Sequence, residues 1–373
     1  MNRLSNGDFR LYPGEEIFQV GRHKFLVHQQ PAKSAEPPLV VFIPGAGHLA
    51  RISYGHPEGR RSDFLAHWLG ELGYAMLGVS YPGDDEGSAS GDLTVTEWGE
   101  ITAAAIDRTI CDDGLKRCVI ACGWSMGGRI ARSLNVALRA RSIDLETFIS
   151  VAGTPAVPGF AAIRSPSFTI RPNGFIDQRT PSDGSARAFA DLYLDSLAMC
   201  DKQEGRSIVP AELYLREYLS ETPVSIRGES TRFANGEFHI SPGEAVADMG
   251  TFDFAEWPIV GTIVSTSPLD AFHALGDQAR WSFFNTEKIW QDWLAPYDLS
   301  ALSADSWHYL CNLVTTINHT LVEHVPGNHF FFVGERGARR TAEAIIRLSQ
   351  ATAWLKREIT ELTDRIGHRK LSV

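Results

Sequence analysis

Val119-Ile-Ala-Cys-Gly-Trp-Ser-Met-Gly-Gly128 is the stretch that decides the fold. An apolar run enters Gly123-Trp124-Ser125-Met126-Gly127, and an amphipathic segment over 129–140 follows without a spacer. The pattern reads as strand, tight turn and helix, with a serine at the apex. A turn this sharp holds its apical residue in a strained backbone geometry, and glycines two positions to either side leave the room it needs. The hydroxyl then stands clear of the sheet at a helix start, where backbone N–H groups stabilise developing negative charge. Ser125 is therefore expected to be a nucleophile. A serine that merely caps the helix would explain the turn, but not the further parts of the same machinery downstream.

Strands and helices alternate outward from this turn. Residues 15–29 alternate in hydropathy like an antiparallel hairpin at a sheet edge. Leu39-Val-Val-Phe-Ile43 is a continuous apolar run bounded by prolines, as in a strand buried on both faces. Helical spacing over 61–73 ends at a glycine. A strand is expected over 75–80, a helix over 94–110, the strand into the elbow over 117–121, and another strand over 146–151. This order predicts an α/β fold, a mostly parallel central sheet flanked by helices.

From 155 to 250 the rhythm breaks into Pro-, Gly- and aromatic-rich sequence with short helical patterns over 188–199 and 211–219. It has apolar residues of its own to bury, so it reads as an inserted, mainly helical cap rather than a linker. The sheet resumes with Pro258-Ile-Val-Gly-Thr-Ile-Val264. An excursion over 270–318 carries Trp281, Phe283, Phe284, Trp290, Trp293 and Trp307 before a last strand over 320–325 and a long helix over 335–366. The expected organisation is a core in two parts, 1–154 and 251–373, interrupted by the cap at 155–250. Cap and excursion are expected to close over the elbow as a lid. Tyr193, Tyr214, Phe233, Trp257, Trp281, Phe283 and Phe284 would line an apolar pocket there, or form the inserted segments' own core. The closing helix has one apolar face, through Ile345, Leu348, Leu355 and Ile359, and room for a second.

At 43% hydrophobic and 21% charged residues, the 373-residue chain has ordinary globular composition and can bury a large core. A net charge of −10 without any basic run argues against nucleic acid and against an anionic membrane surface. No stretch reaches the ~18 apolar residues of a membrane span, and the N-terminus lacks the apolar region of a signal peptide. A cytoplasmic location is expected. The five cysteines are odd in number, scattered and without a Cys-x-x-Cys pair, so neither a metal site nor a disulfide framework is expected.

An activated serine needs a base, and the base needs an orienting acid. His329, in the glycine-turned loop Pro326-Gly-Asn-His329 after the last strand, is expected to be the base. Asp270 is the first carboxylate after the strand ending at Val264 and is the expected acid, with Asp277 on the following helix as the alternative. Two backbone N–H groups should form the oxyanion hole, that of Met126 and that of Ala46 in the Pro44-Gly-Ala-Gly-His48 loop. Trp124 and His48 are expected to line the substrate pocket. Asp84-Asp85-Glu86 reads as a solvated loop.

With these residues in place the chain resembles an α/β-hydrolase over 39–154 and from 258 onward. The order Ser125, Asp270, His329 is that family's order, although the segment from Asp270 to the last strand is longer than is usual. Pro44-Gly-Ala-Gly47 and Gly327-Asn-His-Phe-Phe331 resemble the thioesterase branch. The resemblance implies a serine hydrolase acting on a small-molecule ester or thioester with no cofactor, through an acyl-enzyme, on a hydrophobic or aromatic substrate. The alternatives are an acyltransferase or cyclase using the same intermediate, a cofactor-free lyase, or a binding protein on this scaffold. Oligomeric state is not legible.

Overall fold

A computed structural model describes residues 10–31, 33–83, 91–159 and 166–366. The Asp84-Asp85-Glu86 cluster lies outside the described residues. Eight strands form the main sheet: β1 (Glu15–Val20), β2 (His23–Gln30), β3 (Leu39–Ile43), β4 (Met76–Val79), β5 (Cys118–Trp124), β6 (Asp144–Val151), β7 (Val260–Ser265) and β8 (Val322–Val325). Their order is β1-β2-β4-β3-β5-β6-β7-β8. β2 runs antiparallel to β1 and to β4, and every pair from β4 to β8 is parallel. This is the mostly parallel α/β sheet flanked by helices that the alternation of elements led us to expect.

The central parallel strands β3, β4 and β5 are buried throughout because each side chain in turn meets one of two helical layers. Leu39, Val41, Val119 and Ala121 face α2 (Val95–Asp113) and α3 (Ala131–Ala140), where Trp98, Ile106, Leu134 and Leu138 wait. Val40, Phe42, Ile120 and Cys122 face the opposite layer, with Leu65 and Leu69 of α1 (Leu65–Glu71). α2 begins with a capping box in which Thr94 and Glu97 satisfy each other's backbone N–H groups, and it ends at Gly114.

The stretch 155–250, expected to be the cap, carries α4 (Phe189–Glu204), α5 (Ala211–Glu217) and α6 (Pro242–Met249). It also holds two small sheets that sequence patterning did not reveal. One pairs Thr169–Ile170, Phe175–Asp177 and Thr222–Pro223, and the other is the hairpin Thr231–Ala234 with Glu237–Ile240. Strands of two to four residues are too short to show a period.

The excursion corrects the expectation of a second lid element. Its first helix, α7 (Ala271–Lys288), packs on β7 as a core helix. Asn285 completes the edge of that strand, accepting from Val260 N–H at 2.8 Å and donating to Val260 O at 2.8 Å. Trp257, Trp281 and Phe284 are buried in the α2/α3 layer rather than in a pocket, and Trp281 donates its indole N–H to Gly153 O. Further along, α8 (Ala304–Thr315) brings Leu310 and Leu313 against Leu355, Ile359 and Leu362 of α9 (Glu335–Thr363). The long closing helix therefore has two buried faces, both covered by its own chain. Its first half, at Ala342, Ile345 and Leu348, lies on the sheet. Among the described residues, no helix is long and apolar enough to cross a membrane.

Candidate active site

β5 ends at Trp124 and a 3-10 turn begins at Ser125, which takes a φ of +52°. A non-glycine residue in this region is strained, and the strain persists only where the surroundings enforce it. Here they do. Ser125 O accepts from Thr154 N–H at 2.8 Å. A Cβ on Gly127 would stand 2.5 Å from Ile43 O, so only glycine lets the turn close against β3. Met126 N–H is among the first donors of the turn, which no earlier carbonyl of the helix can satisfy. Among the described residues, Ser125 Oγ has no hydrogen-bond partner. Such links are often open without substrate and tighten once it binds.

Directly after β8, the 326–329 loop turns toward the elbow. Asn328 is buried and pins it, donating to Ser196 O of the cap and accepting from Phe330 N–H. The imidazole of His329 is partly exposed, and its Nδ1 lies 3.1 Å from Asp270 Oδ1. Asp270 Oδ2 accepts from Ser265 Oγ at 2.7 Å. Burial pushes the Asp270 carboxyl up, but His329 beside it, helped by His273 and Ser265, wins and holds it below the ordinary carboxylate value.

Asp277 takes a different partner. Its Oδ2 lies 2.8 Å from His273 Nδ1, and its Oδ1 accepts from Arg280 at 3.1 Å. Burial raises its pKa, against the pull of His273 and Arg280. The two His–Asp pairs are stacked, with the His273 and His329 rings 5.0 Å apart and 27° from parallel.

Gly45 sits against Ser125, since a Cβ there would stand 2.8 Å from Ser125 Cβ and 3.4 Å from Oγ. Beyond it, the loop is held almost atom by atom. Gly47 N–H donates to Thr222 Oγ1 (2.7 Å), and His48 N–H donates to Tyr81 OH (3.1 Å). Among the described residues, no partner takes the Ala46 N–H.

Trp124 and His48, expected to line the substrate pocket, are buried, with relative exposures of 1% and 0%. Trp124 donates its indole N–H to His329 O at 3.1 Å, tying the histidine loop to the elbow strand. Burial pushes the His48 imidazole down to about 3, so it is neutral. Its Nδ1 lies 2.9 Å from Ala46 O, which can only accept, so the proton sits on Nδ1. Nε2 then accepts from Tyr214 OH at 2.5 Å. Both residues shape the site from behind.

Sequence reasoning missed Tyr81, Thr222, His273 and Ser265 as neighbours of the site. Only Ser265 carried a local signal, as the last residue of β7 beside the acid loop. Two groups bring possible cation ligands together, Asp270 with His273 and His329, and Asp63 with Glu204 and Glu335. In the first the donors are engaged as described, and in the second Asp63 is held by Arg206.

No protein-family model matches the chain, and no curated protein sequence matches it. Solved structures do resemble it. A proposed lipase from Sulfolobus solfataricus is 14% identical with a TM-score of 0.47, over 92% of this chain and 93% of that one. A hyperthermophilic esterase from the archaeon Pyrobaculum calidifontis is 14% identical with a TM-score of 0.42, over 88% and 80%. A thioesterase domain from the curacin biosynthetic pathway is 15% identical with a TM-score of 0.38, over 89% and 98%. What this chain does is read from its own site.

Proposed function

We propose that the protein is a serine hydrolase that cleaves a carboxylic ester or thioester of a small molecule through an acyl-enzyme. The observation that carries this is the strained Ser125 turn, tied through Trp124 to a loop whose histidine is paired with a buried carboxylate. Ser125 Oγ attacks the acyl carbonyl while His329 Nε2 takes its proton. Asp270 holds the ring in the tautomer that leaves Nε2 free to accept, and stabilises the imidazolium that forms. The N–H groups of Met126 and Ala46 stabilise the oxyanion. His329 then protonates the leaving alcohol or thiol, and a water that it deprotonates releases the acid. Leu269, Phe272 and Leu275 expose apolar side chains around the turn that carries Asp270, which supports a substrate with a hydrophobic or aromatic part.

The test is hydrolysis of matched oxygen-ester and thioester pairs over a range of acyl chain lengths, with labelling by a fluorophosphonate. Activity and labelling that both vanish in Ser125→Ala are expected. Wild-type protein that neither hydrolyses the panel nor takes the label would overturn the reading.

A further inference from the structure

The peptide that carries the Ala46 N–H has its carbonyl on Gly45, and that carbonyl is not idle. It accepts from Tyr81 OH at 3.3 Å and from His48 N–H at 3.3 Å. Tyr81 OH also lies 3.1 Å from Thr222 Oγ1, which itself accepts the Gly47 N–H. With Tyr81 donating to the Gly45 carbonyl, the threonine hydroxyl donates to Tyr81, and each oxygen in the chain is satisfied. Both side chains are buried, at 1% and 0% exposure, and burial pushes the Tyr81 hydroxyl up to about 12, so it keeps its proton.

Thr222 belongs to the cap, and it does not act alone. The cap's return segment runs antiparallel to the loop, with Leu49 N–H on Tyr218 O, Ser220 N–H on Gly47 O, and a bridge between His48 and Leu219. From α4, Tyr193 OH reaches Ala46 O at 3.3 Å, and from α5, Tyr214 holds His48. The Gly45 and Ala46 carbonyls, both polar groups of the Gly47 backbone and the His48 N–H are taken up within the loop, by the cap and by Tyr81, while the Ala46 N–H has no partner among the described residues.

We propose that Tyr81 and Thr222 are positioning residues of the oxyanion hole, and that through Thr222 the seating of the cap sets whether the hole is formed. The proposal rests on the serine-hydrolase reading. Two physical effects follow from the geometry. Hydrogen bonds to the Gly45 carbonyl fix the plane of its peptide, and so the direction of the N–H on the other side. They also polarise that peptide, strengthening the donor. The cap is then part of the catalytic apparatus rather than a cover over it.

The experiment uses the full chain and the variants Thr222→Val, Thr222→Ser and Tyr81→Phe, with kcat and KM for an activated ester and the affinity for a trifluoromethyl ketone, which Ser125 converts to an oxyanion adduct. Losing an oxyanion donor outright costs about 10²–10³ in kcat, so misaligning one should cost about tenfold or more. Thr222→Val and Tyr81→Phe are expected to lose that factor in kcat and the same factor in ketone affinity. KM should stay within about twofold, and Thr222→Ser should restore both quantities. Unchanged kcat and ketone affinity in an active protein overturn the proposal. So does a joint collapse of kcat, KM and melting temperature that serine does not rescue, because that is packing alone. Wild-type protein that takes no fluorophosphonate label brings down the hydrolase reading itself, and this proposal with it.

Discussion

Replacing Asp270 by asparagine isolates the proposed acid from its rival, Asp277, about two helical turns away. The carboxylate is buried and lies 3.1 Å from His329 Nδ1. A unit charge about 4 Å from the imidazolium that forms during the reaction contributes about 4 kcal/mol at an effective dielectric constant near 20. At 1.36 kcal/mol per factor of ten, this is about 10³ in rate. Asparagine can also present its amide N–H to the ring and favour the wrong tautomer, which brings the expected fall toward about 10⁴. Asp270→Asn should therefore lower kcat by 10³–10⁴ (about 4–5.5 kcal/mol) with little change in KM. Asp277→Asn, whose partner is His273, should stay within about tenfold of wild type, a loss of about 1.4 kcal/mol at most. The assay is steady-state hydrolysis, with circular dichroism and melting temperature showing that both variants are folded. Asp270→Asn retaining more than a tenth of wild-type kcat while Asp277→Asn loses about 10³ would refute the reasoning.

Three further outcomes are expected. Trp124→Phe removes the donor to His329 O and leaves that carbonyl unsatisfied; it should cost about 1–3 kcal/mol in urea unfolding and lower kcat by loosening the loop. Gly45→Ala places a methyl 2.8 Å from Ser125 Cβ and 3.2 Å from the Trp124 ring; phosphonylation of Ser125 should slow by more than about tenfold, because the oxyanion loop must move away to make room. Asp177 is buried at 3% exposure, and although burial raises its pKa, Arg171, Arg179 and Thr180 hold it below the ordinary carboxylate value. Its contribution is therefore complete above that ordinary value and is lost as pH falls through the depressed one. The gap in urea stability between wild type and Asp177→Asn should be widest at neutral pH and should close on acidification.

Local sequence was most legible where chemistry and backbone geometry coincide. The glycines around Ser125 announce a tight turn, and the apolar runs at 39–43 and 119–124 announce strands buried on both faces. Trp281 and Phe284 of the 270–318 excursion could be read as pocket or as core because an aromatic side chain's burial carries no direction. Whether Trp281 fills a core or a pocket depends on which layer α7 lies against, and contacts such as its bond to Gly153 O join residues 128 positions apart. The burial of His48 and Trp124 was not legible for the same reason: membership of a loop or strand near Ser125 says nothing about which face a side chain turns to.

By itself, then, the sequence determined the fold class, the elbow and the short lists from which a base and an acid could be drawn, because those follow from periodicity and turn sterics over a few residues. Only the tertiary structure decided which carboxylate meets which histidine. Asp270 and Asp277 lie about two helical turns apart, and a hydrogen bond tolerates an error of only a few tenths of an ångström. Only the tertiary structure, too, brought Tyr81 and Thr222 together behind the Gly45 carbonyl, 141 residues apart in the chain and 3.1 Å apart in space. No local pattern encodes that meeting, because it is set by how the cap seats on the sheet.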